Sequence, residues 1–186
     1  MVGRTAAYGR AAFAWAVKRG MVSANPFADL PVAKSIAKRE RVLSDEEIGE
    51  VWRAAVSAPY GTIIRLLILT GQRRGEVAGM TWSELSDDLS TWTIPGERTK
   101  NGAVHVVPLS EPARALLREL LSGDANEVKR VAPDALVLPG AASTPFSGWS
   151  KAKAALDRAV ADGRGASLAP WSVHDLRRTV ATGLQR

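Results

Sequence analysis

The stretch LLILTGQRRGEVAGMTW, residues 66–82, governs how the rest of the chain is read. It completes a nearly unbroken apolar run, TIIRLLILT at 62–70, that is cut by Gly71 and followed at once by charge. By length and composition that run suits either a buried strand or a buried helix. Beyond the glycine, Arg73 and Glu76 stand three positions apart in a short helical segment over Arg73–Met80. That spacing puts both on one helical face, where the carboxylate can hold the guanidinium in place. Arg74 points roughly a quarter-turn away from Arg73, and we assign it no catalytic role.

Working outward, the carboxyl-terminal stretch SVHDLRRTVATGLQR at 172–186 repeats the pattern of a polar group and an arginine on one face. His174 and Arg177 are again three apart, in a helix that begins near Val173. Between the two stretches, TWTIP at 91–95 and AVHVVPL at 103–109 read as a β-hairpin turning through Lys100, Asn101 and Gly102. Amino-terminal to all of these, Ser44 and Glu47 have the spacing of a capping box that opens a helix to about Ser57, with Ile48, Val51, Trp52 and Ala55 inward. Further helices are expected from Pro112 to about Leu121 and from Trp149 to Ala161, the latter ended by Gly163 and Gly165. ALVLP at 135–139 is expected to be a short strand or extended segment.

The first residues form a separate piece. Ala7, Ala11, Ala14, Trp15 and Lys18 recur on neighbouring turns of a helix over residues 4–19, ended by Gly20, and Asn25-Pro26-Phe27 then breaks the chain. A basic segment follows, containing Lys34, Lys38, Arg39 and Arg41. The net charge of +6 lies wholly in residues 1–43, which carry eight basic and two acidic side chains; residues 44–186 balance 17 against 17. Such a segment reads either as an extended solvated linker or as a strap along a phosphate backbone.

Composition narrows the class. With 46% apolar and 24% charged residues the chain reads as an ordinary globular protein. It has no cysteine, which excludes disulfides and thiolate metal sites. Its two histidines, His105 and His174, lie far apart in sequence, which argues against a catalytic zinc site. The amino-terminal twenty residues are too broken by charge for a secretory signal or membrane span, so a cytoplasmic protein without a membrane partner is expected.

Taken together, LLILTGQRRGEVAGMTW, TKNGAVHVVPLS and SVHDLRRTVATGLQR resemble the catalytic domain of the tyrosine recombinases, the phage integrase family. AAFAWAVKRGMVSANPF resembles the last helix of the core-binding domain that precedes it. The resemblance favours a helix for the apolar run. It implies a mixed α+β fold, mainly helical, with a small antiparallel sheet. Its domains would be a core-binding remnant at 1–30, a basic linker at 31–43, and a catalytic domain at 44–186.

It also implies roles. Arg73 and Arg177 would clamp a phosphate, Lys100 would protonate a leaving 5′ oxygen, His174 would serve in proton transfer or hydrogen bonding, and Glu76 would support Arg73. Two guanidinium forks suit a five-coordinate phosphorus, since each stays charged and offers donors in a plane; losing one such donor costs roughly a hundred- to a thousand-fold in rate. The four groups should meet within roughly 10 Å of one point. Lys34, Lys38, Arg39 and Arg41 would follow duplex DNA as the partner, with no metal, nucleotide or other small-molecule cofactor.

The family's nucleophilic tyrosine lies beyond its His-Asp-Leu-Arg segment. Here the tyrosines are Tyr8 and Tyr60, both expected in packing roles. The expectation is therefore a recombinase fragment truncated before its nucleophile, which binds DNA without cutting it; the alternative is a non-catalytic DNA-binding or interaction protein from a disrupted integrase gene. A third reading is a small basic regulator whose arginines make structural ion pairs only. An apolar groove near Leu176, Val180 and Leu184, left by absent terminal helices, would favour self-association. His105 is given no role.

Overall fold

A computed structural model of the chain describes residues 2–30, 41–121, 132 and 134–184. The chain divides into two compact units, Met1–Arg39 and Glu40–Arg186.

The first unit is helix α1, Val2–Lys18, with a return segment folded onto it. Phe13 and Phe27 stack at 5.3 Å, and Gly9 lies so close that a Cβ there would meet the Phe27 ring at 2.6 Å. Arg10 donates to the carbonyls of Phe27 and Leu30 at 3.2 and 2.6 Å, so its charge closes the turn. The helix forms as read, but Ala7, Ala11, Ala14 and Trp15 of its apolar stripe are exposed, and the packed face is the one carrying Gly9 and Phe13. Tyr8, expected to pack, is 74% exposed. Helical periodicity identified the helix, but only the ring of Phe27 selects its inner face.

The second unit is built around α3, Tyr60–Thr70, which is the apolar run in helical form. Tyr60, Gly61, Ile63, Ile64, Leu66 and Leu67 are buried in it, so both sides of the helix are covered. Helices α2 (Asp45–Ala54), α4 (Arg74–Ala78), α5 (Glu111–Leu120) and α7 (Val173–Gly183) pack on α3, while α6 (Trp149–Arg164) lies against α2. Strands β1 (Thr91–Ile94) and β2 (His105–Pro108) form one antiparallel pair, with Trp92 opposite Val107 and Ile94 opposite His105. Trp92 and Ile94 face the core and are fully buried. The mainly helical fold with a small antiparallel sheet is as expected.

Local signals account for the helix ends. The capping box forms as read: the Glu47 N–H donates to the Ser44 hydroxyl at 3.2 Å and the Ser44 N–H to the Glu47 carboxylate at 2.8 Å. Pro112 sits in the first turn of α5. Several helix boundaries differ from those expected, α4 among them, which covers Arg74–Ala78 in place of Arg73–Met80. Helix α2 stops at Ala54, short of Ser57, and α6 continues through Gly163 to a left-handed Gly165. ALVLP forms only single bridges, Leu136 with Thr81 and Pro139 with Pro145. No helix among the described residues is long and apolar enough to cross a membrane.

The groove expected near Leu176, Val180 and Leu184 is not formed. Leu176 is fully buried in the core, Val180 faces Gly71, and Leu184 is 85% exposed. These three side chains occupy different environments because α7 uses one face to pack on α3 and carries Leu184 past its end.

Candidate functional site

The site begins at the end of α3. Gly71 closes that helix in the left-handed region, φ +61°, with its N–H bonded to the Leu67 carbonyl at 2.9 Å. Only glycine adopts this angle without cost, and here the missing side chain has a second use. A Cβ at Gly71 would sit 2.9 Å from the Val180 Cγ1, so the glycine lets α7 approach. One turn earlier on α7, Arg177 donates from Nη1 to the Gly71 carbonyl at 2.6 Å and approaches the Gln72 side-chain oxygen at 3.4 Å. Arg177 is thereby tied to a backbone group two residues from Arg73.

Arg73 is held from the other side. Its backbone N–H donates to Glu76 Oε2 at 2.9 Å and its Nη1 to Oε1 at 2.6 Å. Glu76 is only 5% exposed, whereas the Arg73 side chain is 46% exposed, so the buried carboxylate fixes an arginine whose outer donors stay free. The Glu76 carbonyl in turn accepts from Arg98 Nη2 at 2.6 Å, and the other Arg98 nitrogen pairs with Glu84. Glu84 also accepts from the indole of fully buried Trp92 at 2.9 Å. Arg98 therefore clamps the base of the hairpin to the arginine-bearing helix α4, two residues before Lys100. Nothing in the spacing of the sequence marked Arg98 for this task, because Glu84, Trp92 and Glu76 meet it only in three dimensions.

The hairpin turn that carries Lys100 is closed on itself. The Thr99 hydroxyl lies 2.8 Å from the Ala103 carbonyl and 3.0 Å from that of Gly96, and Gly102 takes φ +73°. Lys100 itself is exposed. It lines a cleft of about 420 Å³ together with Gln72, Arg73, Glu76, His105 and Arg177. Three predicted cations thus share one cavity. His105, assigned no role from its sequence context, lines it too; its place on the same hairpin as Lys100 was the available signal.

His174 is placed differently. It is exposed in the first turn of α7, whose start is locked by Asp175: the carboxylate accepts from the Ser172 N–H and hydroxyl, both at 2.8 Å, and pairs with Arg178 at 3.0 Å. His174 lines a neighbouring cleft of about 530 Å³, which shares Arg73 with the first. The four predicted groups therefore border two adjoining cavities with Arg73 as the common wall, in place of one pocket.

Of the two tyrosines, Tyr60 is buried beneath Phe146 and Trp149, with ring centroids 5.5 and 5.9 Å away. Burial pushes its phenol up to about 12, Asp157 adds to the rise, and Arg74 works against it. A neutral, enclosed phenol is a poor nucleophile. Lys34, Lys38 and Arg39 fall outside the described residues. Arg41 is paired with Glu47 and donates to the Val42 carbonyl at 2.9 Å. Burial works against the Glu47 carboxylate, but the Ser44 N–H and then Arg41 outweigh it and hold its pKa below the usual range. Among the described residues no group of three or more histidines and carboxylates is arranged to hold a metal ion.

The chain is similar to known proteins in sequence and in fold. The sequence model of the phage integrase family matches residues 41–186. The tyrosine recombinase XerC of Xylella fastidiosa strain M23 is 27% identical over 142 residues, covering 74% of this chain and 46% of that protein. The integrase of Enterobacteria phage 434 is 26% identical over 171 residues, covering 89% and 46%, and prophage integrase IntZ of Escherichia coli K12 is 34% identical over 133 residues, covering 69% and 31%. The chain thus spans less than half the length of these relatives. Among solved structures, a lambda integrase dimer bound to a COC′ core site superposes with a TM-score of 0.64 at 24% identity, over 96% of this chain and 62% of that one. The Tn1549 transposon integrase in complex with circular intermediate DNA gives 0.61 at 16% identity, over 95% and 63%. At these identities the likeness establishes the fold.

Proposed function

Because the chain belongs to the phage integrase family, we propose that residues 41–186 grip a phosphodiester of duplex DNA in the cleft between Arg73, Lys100 and Arg177, as part of site-specific DNA integration and recombination. The observation that carries this reading is the 2.6 Å bond from Arg177 to the Gly71 carbonyl. It brings two arginines that are roughly a hundred positions apart to one cavity and leaves the rest of each guanidinium for phosphate oxygens. Those donors are suited to the charge that develops on a five-coordinate phosphorus, and Glu76 and Gly71 hold them in advance. Lys100, on the turn at the cleft's edge, is in position to give a proton to a departing 5′ oxygen. His174, across Arg73, would exchange a proton or hydrogen bond with the phosphate from the adjoining side. In this reading residues 1–30 are the terminal helix of a core-binding domain, and residues 31–43 are a basic linker whose charge contacts DNA phosphates.

A covalent strand transfer needs a tyrosine oxygen in line with the phosphorus, and neither tyrosine of these 186 residues is suited to it: Tyr8 stands in the other compact unit and Tyr60 is buried. The polypeptide as it stands is therefore proposed to bind DNA without cutting it. The test is fluorescence anisotropy with a labelled duplex, alongside incubation with a nicked suicide substrate and denaturing electrophoresis. Arg73→Ala and Arg177→Ala should each weaken binding about tenfold or more, the scale for a hydrogen bond to a charged group. Unchanged affinity in both variants would refute the phosphate grip; a covalent adduct mapped to Tyr8 or Tyr60 would refute the inert reading.

A further inference from the structure

The second cleft, of about 530 Å³, is walled by Arg73, Arg74, Trp149, Lys153, Trp171 and His174, and no carboxylate lines it. Its cations differ in how they are held. Arg73 is paired with Glu76, and Lys153 sits 3.8 Å above the Trp171 ring with its ammonium 2.6 Å from Asp157. Arg74, in contrast, lies 4.6 Å over the Trp149 ring and has no carboxylate partner among the described residues. That ring is itself fixed, edge-on to Phe146 at 4.9 Å and to Tyr60 at 5.9 Å. A guanidinium stacked on a rigid indole keeps its in-plane donors free, loses little water, and gives up little side-chain freedom on binding an anion. Each indole already carries a cation over one face, which favours an anion over a stacked nucleobase as the occupant.

We propose that this cleft binds a second phosphodiester of the DNA, next to the one gripped by Arg73 and Arg177, with Arg74 as its principal ligand. The proposal rests on the phosphate-gripping reading above. Arg73 and Arg74 are consecutive, with Cα atoms ~3.8 Å apart, yet only Arg73 reaches the Lys100 cleft while both border this one. Neighbouring residues that part toward adjoining cavities are arranged to take successive phosphates of one strand. Arg74 would thus set the register of the backbone on the protein without reading a base.

The experiment measures the affinity of the 186-residue protein for a labelled 30-bp duplex across a series of NaCl concentrations, with thermal melting to confirm folding. Each phosphate contact contributes about 0.9 to the slope of log affinity against log salt. R74Q and R74A should each weaken binding about tenfold and lower the slope by about one unit, at an unchanged melting temperature. R73A should also lower the slope by about one unit, at a reduced melting temperature because the buried Glu76 carboxylate loses its partner, and the double variant R73A/R74A should lower the slope by about two. If R74A and R74Q leave the slope unchanged while R73A lowers it, Arg74 is only a stacking partner of Trp149 and the second site is refuted with the first intact. If the double variant loses no more than R73A alone, both arginines serve one phosphate and the second site is likewise refuted. A slope unmoved by R73A would overturn the phosphate-gripping reading and this inference with it.

Discussion

Arg98→Met should destabilise this protein more than any loss of surface charge would. Arg98 makes an ion pair with Glu84 and a 2.6 Å hydrogen bond to the Glu76 carbonyl, and its side chain is 25% exposed against 7% for Glu84. Removing the guanidinium leaves the Glu84 carboxylate in the core with only the Trp92 indole to balance it. Breaking a fully buried pair costs ~3–5 kcal/mol, and a charge-assisted hydrogen bond contributes ~1.5–3 kcal/mol. The partial exposure of Arg98 lets water screen the orphaned charge, so the expected loss is ~2–3 kcal/mol. For a domain of this size that corresponds to a fall in Tm of about 5–10 °C. Adding Glu84→Gln to Arg98→Met removes the uncompensated charge, since the amide oxygen can still accept from Trp92, and should recover about 1–2 kcal/mol. Thermal and urea unfolding of the two single variants and the double variant complete the cycle. An Arg98→Met protein that melts within about 2 °C of the parent, or a double variant less stable than both single ones, would show that Glu84 is not held as described.

Gly71→Ala should cost about 2–3 kcal/mol in urea unfolding, because φ +61° is strained for any side chain and the new methyl would meet Val180 at 2.9 Å. It should also weaken duplex binding by displacing Arg177; full affinity in a destabilised variant would count against the Gly71–Arg177 tie. For Tyr60, folding raises the phenol to about 12, so above pH ~10 the unfolded chain releases a proton that the folded one keeps. Stability should therefore be independent of this group below pH ~10 and fall on the order of 2 kcal/mol as pH rises toward 12, a fall that denaturant titrations should find missing in Tyr60→Phe. In the basic segment, replacing Lys34, Lys38 and Arg39 with alanine should lower the salt slope of DNA binding by up to about three units, whereas Arg41→Ala should lower it by well under one, because Arg41 already has Glu47. Equal contributions from all four residues would mean that DNA breaks the Arg41–Glu47 pair.

Features that depend on neighbours along the chain are legible from the residues alone. The Ser44–Glu47 box, the stop at Gly71, the Arg73–Glu76 pair and the turn at Gly102 are contacts within a few residues, so their residue types and spacing are sufficient to specify them. Tertiary structure decided everything that depends on which surface meets which. The inner face of α1 is chosen by Phe27, and Leu176 is buried because α7 packs on α3. Arg41 is drawn to Glu47, and Arg98 becomes a clamp because Glu84, Trp92 and Glu76 converge on it. The same limit applies to the candidate site. The identities of Arg73, Lys100, His174 and Arg177 were legible as motifs, but their division between two clefts was not. It follows from the direction in which α7 crosses Gly71, which takes Arg177 to the Lys100 side of Arg73 and leaves His174 on the Trp149 side. Local spacing specifies which face a side chain leaves from, and packing of whole helices specifies what that face looks onto.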